Sequence, residues 1–251
     1  MSKILDLLRL EYDLTWRYLT LGMVYALIFI AYTASLNVTT GILTLYGGSI
    51  VYLQDVASSY MYSFFLLIGL SSYIYSKSIA SQISNGLIKT ILCYPISRRR
   101  LLITKLVTNY LVFLPSGILP ELYLQFLYGV DMKVFIALIL VFAVKLLFSS
   151  TLAILFSVIL REPLMSLIGS MLTLYTFEIA PGFLWSIHAE KIAKMLSLNY
   201  LIVVLYRALS SPNFLKTIME LDALATVLFS IVFPCIFFLS SLFLFEKMDL
   251  D

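Results

Sequence analysis

A chain of 251 residues that is 61% hydrophobic and only 12% charged carries about half the charge of an ordinary soluble domain, which excludes that class. A mean hydropathy of +1.00 agrees, and a formal net charge of +3 is too small to indicate nucleic acid as a partner. One histidine, His188, and two cysteines in unlike surroundings, Cys93 in a polar loop and Cys235 in an apolar run, leave no multi-histidine metal site and no expected disulfide.

Residues 1–17 read as an amphipathic interfacial helix. At about 100° per residue, Lys3, Asp6, Arg9, Asp13 and Arg17 share one arc, while Ile4, Leu7, Leu8, Leu14 and Trp16 occupy the rest. Glu11 falls outside that pattern. Such a helix either anchors the chain to the membrane surface or meets a partner there. Acids among the bases, and a following apolar run long enough to span, argue against a secretory signal.

Apolar runs then predict six spans, at about 18–36, 57–76, 104–128, 134–160, 164–180 and 223–245. The last is uncharged for 23 residues, Ala223 to Phe245, about 34 Å as helix against a hydrocarbon core of roughly 30 Å. The expected fold is an all-α polytopic membrane protein, with residues 18–251 as its transmembrane domain. Region 181–222 is too interrupted for a clean span; within it Leu198–Leu209 has the length of a re-entrant or interfacial segment. With the N-terminus inside, eleven basic residues fall on the cytoplasmic side against five outside, Lys133, Lys191, Lys194, Arg207 and Lys216, as the positive-inside rule requires. Both termini are therefore expected in the cytoplasm. Asn37-Val38-Thr39 is a glycosylation triplet on the predicted outer face.

The segment Ser84–Lys105 interrupts two apolar runs with Lys89, Arg98, Arg99, Arg100 and Lys105, and no acid lies between Lys77 and Lys105. Within 82–94 the apolar residues Ile83, Leu87, Ile88, Ile91 and Leu92 recur at helical spacing. Pro95 ends that helix because its ring cannot continue one, and Ser97 is placed to cap the next. Arg98–Arg100 and Lys105 are expected at the lipid headgroups, holding the third span at its cytoplasmic end. A short helix joined to two spans can turn a partner's movement into a tilt of both.

At these residues the chain resembles the permease subunits of type-2 ABC (ATP-binding cassette) exporters. The matching residues are Gly86, Leu87, Leu92, Pro95, Ser97, Arg98, Leu101, Leu102 and Lys105; Ser84, Asn85 and Lys89 stand where members often carry acids. The resemblance extends to the whole plan, including short outer helices between the fifth and sixth spans. It implies that residues of about 82–95 form the coupling helix that docks on an ATPase, with Gly86, Leu87, Ile88, Ile91, Leu92, Pro95, Ser97 and Arg98 at the contact. It further implies two ATPase subunits, a second permease that is either a copy or a relative, and a chain that is not itself an enzyme. No G-x-x-x-x-G-K-[ST] loop occurs in the sequence, so ATP and Mg are expected on the partner ATPase and no cofactor on this chain.

Glu121 follows Pro120 in the third predicted span, and Lys145 lies near the middle of the fourth. An unpaired charge there costs about 2.5–3.5 kcal/mol on insertion scales, so the two are expected to approach each other or line a common interior. They read either as lining groups of a substrate path or as an interhelix pair, and the Lys could also snorkel outward. Glu178 and Trp185 are expected as anchors at the outer interface. An ion-coupled secondary transporter using Glu121 and Lys145 is the alternative, though it predicts inverted repeats with paired broken helices. An intramembrane hydrolase would need histidine clusters or an activated nucleophile.

Overall fold

A computed structural model of the chain describes residues 66–93, 96–128, 132–213 and 218–248, together with Arg9, Tyr12, Asp13 and Lys216. The predicted first span and Pro95 lie outside these residues, as does most of the 1–17 segment. Every regular element among the described residues is helical. In chain order they are α1 (66–84), α2 (Leu87–Leu92), α3 (Arg98–Tyr128), α4 (Met132–Leu160), α5 (Pro163–Ser186), α6 (Glu190–Leu196), α7 (Tyr200–Ser210) and α8 (Leu221–Lys247). Four of them, α3 over Arg98–Leu119, α4, α5 and α8, are long and apolar enough to cross a membrane. α6 and α7 together form a pair bent by 82° at a short break.

The helix boundaries follow local chemistry. α4 stops where Arg161 takes a left-handed φ of 56°. Glu162 is then extended, as a residue before proline prefers, and Pro163 opens α5 in the first turn. α5 runs six residues past the predicted end of the fifth span, because its internal Pro181 does not break the helix. It gives way at His188, also left-handed with φ 60°. α3 begins at Arg98 rather than near residue 104, since a helix continues through a basic turn that a hydropathy count leaves out. α8 carries Pro234 within it.

α4 is the central helix, with buried residues along nearly its whole length. One apolar cluster joins Leu67 and Ile68 of α1, Phe113 of α3, Leu138, Leu146 and Phe148 of α4, Leu201 and Ile202 of α7, and Phe229 of α8. Tyr12 packs against the same cluster. The approach of α3 to α4 is close at Gly117, where a Cβ would sit 2.3 Å from the Phe142 ring. Aromatic rings fill the seam of α4, α5 and α8: Phe148 meets Phe177 at 5.3 Å and Phe237 at 5.6 Å, both edge to face. α5 and α8, in contrast, expose Leu164, Ile168, Leu172, Ile179, Leu228 and Leu239. Apolar faces of that extent suit lipid rather than water, and the bundle is that of a membrane-embedded protein.

Candidate functional site: a polar elbow and a buried charge triad

The elbow joins α1 to α3. α1 carries a π-helical turn at Ser76–Ala80, a form often found at functional positions. α1 then ends at Asn85 and Gly86, where the Gly86 N–H donates to the Ile83 carbonyl at 3.1 Å. Gly86 has φ 69°, the left-handed conformation that glycine adopts without steric cost. The helix expected over 82–94 is therefore two pieces: Ile83 closes α1, and α2 starts afresh at Leu87. Nothing lies within 4 Å of a Cβ built on Gly86, so backbone angle, and not crowding, demands glycine there.

α2 is two-faced. Ile88 and Ile91 are buried, packed with Tyr75, Ile79, Leu101, Leu102, Ile154 and Phe245 in a second apolar cluster that Leu92 and Ile83 border. Leu87, Lys89, Thr90 and Cys93 are exposed on the other side. The Ser97 hydroxyl accepts the Arg100 backbone N–H at 3.4 Å, the capping role expected of it.

The cations near the elbow are not all at the headgroups. Lys105 is completely buried, and its Nζ donates to Gln82 Oε1 at 2.8 Å. Arg98 is half-buried and turned toward the end of α8, while Arg99 pairs with Glu246 through two contacts, Nη2 to Oε2 at 2.8 Å and Nε to Oε1. Arg100 is exposed. The difference from a simple basic belt has a geometric cause: residues 98 and 105 lie two turns apart on the face of α3 that looks into the bundle. Further along the same seam, Asn109 Nδ2 lies 3.4 Å from Ser78 Oγ, and the Tyr75 hydroxyl donates to the Leu106 carbonyl at 3.4 Å. The Ser76 hydroxyl bonds the Pro163 carbonyl. The π-turn of α1 is thus pinned to both α3 and α5.

Lys145 lies roughly 20 Å along α4 from Met132. Its side chain is 0% exposed, and Nζ sits 3.1 Å from Glu178 Oε1 of α5, itself 5% exposed. Nζ also donates to Asn199 Oδ1 at 2.5 Å, and Asn199 Nδ2 donates to Glu178 Oε2 at 3.2 Å. The three side chains close a ring. Asn199 occupies the break between α6 and α7, so the bent pair delivers an amide to a depth that a continuous surface helix would not reach. Glu178 is therefore no interfacial anchor; it is the buried counter-charge of Lys145. The Glu121 side chain falls outside the described ones.

Reading the sequence alone missed Glu178 as the partner, and it missed Asn199 and Gln82 altogether. A signal existed for the first: two opposite charges in consecutive antiparallel spans. For Asn199 the only hint was an isolated amide near the start of the apolar segment Leu198–Leu209.

Chemically the triad sets one cation against one carboxylate, with an amide bonded to both. The elbow has an exposed polar face on a rigid apolar base, which suits docking. No protein-family model matches this chain, and no curated protein matches it.

Proposed function

We propose that this chain is the transmembrane permease subunit of an ABC exporter of the type-2 class, moving substrate across the plasma membrane with ATP hydrolysed on a separate ATPase. In this reading six spans make half of a transporter, both termini are cytoplasmic, and two ATPase subunits and a second permease complete it. The reading is carried by the elbow. Its buried face, Ile88 and Ile91, packs against α1, α3, α4 and α8, while Leu87, Lys89 and Thr90 face outward. A helix held so firmly on one side and bare on the other transmits a push to the bundle. The left-handed Gly86 and the Ser97 cap give the motif residues local reasons to be what they are.

The ion-coupled alternative draws no support from Lys145, which is already engaged by Glu178 and Asn199 within the chain. A charge so matched has no evident route to a translocated ion. The test is to purify the tagged chain from the cells that make it and assay for a copurifying ATPase, then to reconstitute both in liposomes. ATP-dependent movement of a lipidic or hydrophobic cargo, lost on Leu87→Asp, is the expected result. Transport by the chain alone on an ion gradient would overturn it.

A further inference from the structure

Arg98 belongs to the motif that the resemblance assigns to docking, yet its guanidinium points away from the exposed face. Nη1 donates to the carbonyl oxygens of Phe245 at 3.3 Å, Glu246 at 3.0 Å and Met248 at 2.5 Å. These carbonyls close α8, and a helix leaves its last four without intrahelical donors. The negative end of the helix dipole favours a cation at that place. One planar guanidinium therefore caps a helix end lying 150 residues away in sequence.

The surroundings reinforce that contact. Phe245 and Met248 of the α8 end are buried in the same cluster as Ile88 and Ile91 of α2 and Leu101 and Leu102 of α3. The Arg99–Glu246 pair lies on the surface of the same junction, with side chains 67% and 33% exposed. Exposed pairs of this kind contribute little, so the polar part of the junction rests on Arg98. Covalently, the elbow connects only α1 and α3. Through Arg98 and the apolar cluster it also grips α8, which packs along α4.

We infer that Arg98 is a positioning residue that ties the end of α8 to the elbow, so that the elbow and the sixth predicted span are displaced together, and that the partner protein does not touch it. The displacement rests on the permease reading above; the tie rests on the geometry alone.

Two measurements separate these. For the tie, Cys93 and Cys235 are replaced by Ser, and spin labels are placed at Lys89→Cys and Lys247→Cys in the full chain in lipid nanodiscs. A single narrow distance is expected with Arg98 present, and a broad distribution in Arg98→Ala. Arg98→Lys, which keeps the charge but has no planar fork to share among three carbonyls, is expected to lie between them. For the coupling, transport-linked ATP turnover and partner affinity are measured on unlabelled complexes. Arg98→Ala is expected to lower coupled turnover about tenfold, the factor carried by loss of charged hydrogen bonds, with affinity unchanged. Leu87→Asp is expected to lose affinity outright. An unchanged distance distribution in both Arg98 variants would overturn the tie, and unchanged coupling in both would overturn the shared displacement. Equal loss of affinity in Arg98→Ala and Leu87→Asp would make Arg98 a contact and overturn the inference as well. If no ATPase associates with the wild-type chain, the permease reading falls while the distance measurement still decides the tie.

Discussion

The elbow and the Lys145 triad both bring charge into an apolar bundle, and they handle it in opposite ways. At the triad, Lys145 and Glu178 form a buried ion pair and Asn199 bonds both, so the two charges are matched inside the chain. At the elbow, Arg98 and Lys105 are turned inward onto carbonyl and amide oxygens, while Leu87, Lys89, Thr90 and Arg100 remain exposed. A closed polar ring holds helices together, whereas the elbow keeps an open face on a packed base, which under the permease reading is where a partner would dock. Burial and completeness of bonding, and not the presence of charge, distinguish the two regions.

Substitutions can break this contrast, beginning where the effect is largest. Lys145→Met leaves a buried carboxylate without its counter-charge, and thermal unfolding in detergent should show a loss of about 3–5 kcal/mol. The double change Lys145→Met with Glu178→Met should recover most of it, since an apolar pair needs no desolvation of charge. If the single and double variants were equally damaged, the triad would not be the self-contained unit described here.

Asn199→Ala removes two hydrogen bonds to charged groups but leaves the ion pair. The expected loss is about 1.5–3 kcal/mol in the same assay. Faster proteolysis within the α6–α7 pair, with α4 and α5 still protected, would place that loss at the bent pair.

Gly86→Ala tests the elbow's backbone. A Cβ meets nothing there, so the expected destabilisation is only the left-handed strain of about 1–2 kcal/mol. If the permease reading holds, ATPase coupling should fall more than stability does, because α2 would leave its seat. Gly86→Asn should be milder in both respects, since Asn tolerates the left-handed region better than Ala.

The smallest stability effect should come from the exposed face. Lys89→Glu is expected to shift unfolding by no more than about 0.5 kcal/mol, as surface changes do. Under the permease reading its effect should appear instead as weakened copurification of an ATPase. A large loss of stability with partner binding intact would reverse the distinction between the two regions.

The amino-acid sequence determined a good deal of this. Charge depletion and the length of the apolar runs sufficed for a helical membrane protein, because lipid leaves backbone polar groups no other local solution than a helix or a closed barrel. The positions of α4 and α8 followed closely from those runs, as did α7, the second half of the bent pair. The helical spacing over 82–94 was legible, but it read as one helix, and the two-piece elbow emerged only with the left-handed turn at Gly86.

Tertiary structure alone decided which polar groups meet. Hydropathy assigns Lys105 to the headgroup layer and Glu178 to the outer interface, because it records where a residue lies along the chain and not which side of its helix faces inward. Arg98 reached α8, and Asn199 reached Lys145, only once distant segments had packed. Those contacts depend on helix rotation and on approach distances such as that at Gly117, which are properties of the packed bundle and not of any one stretch of sequence.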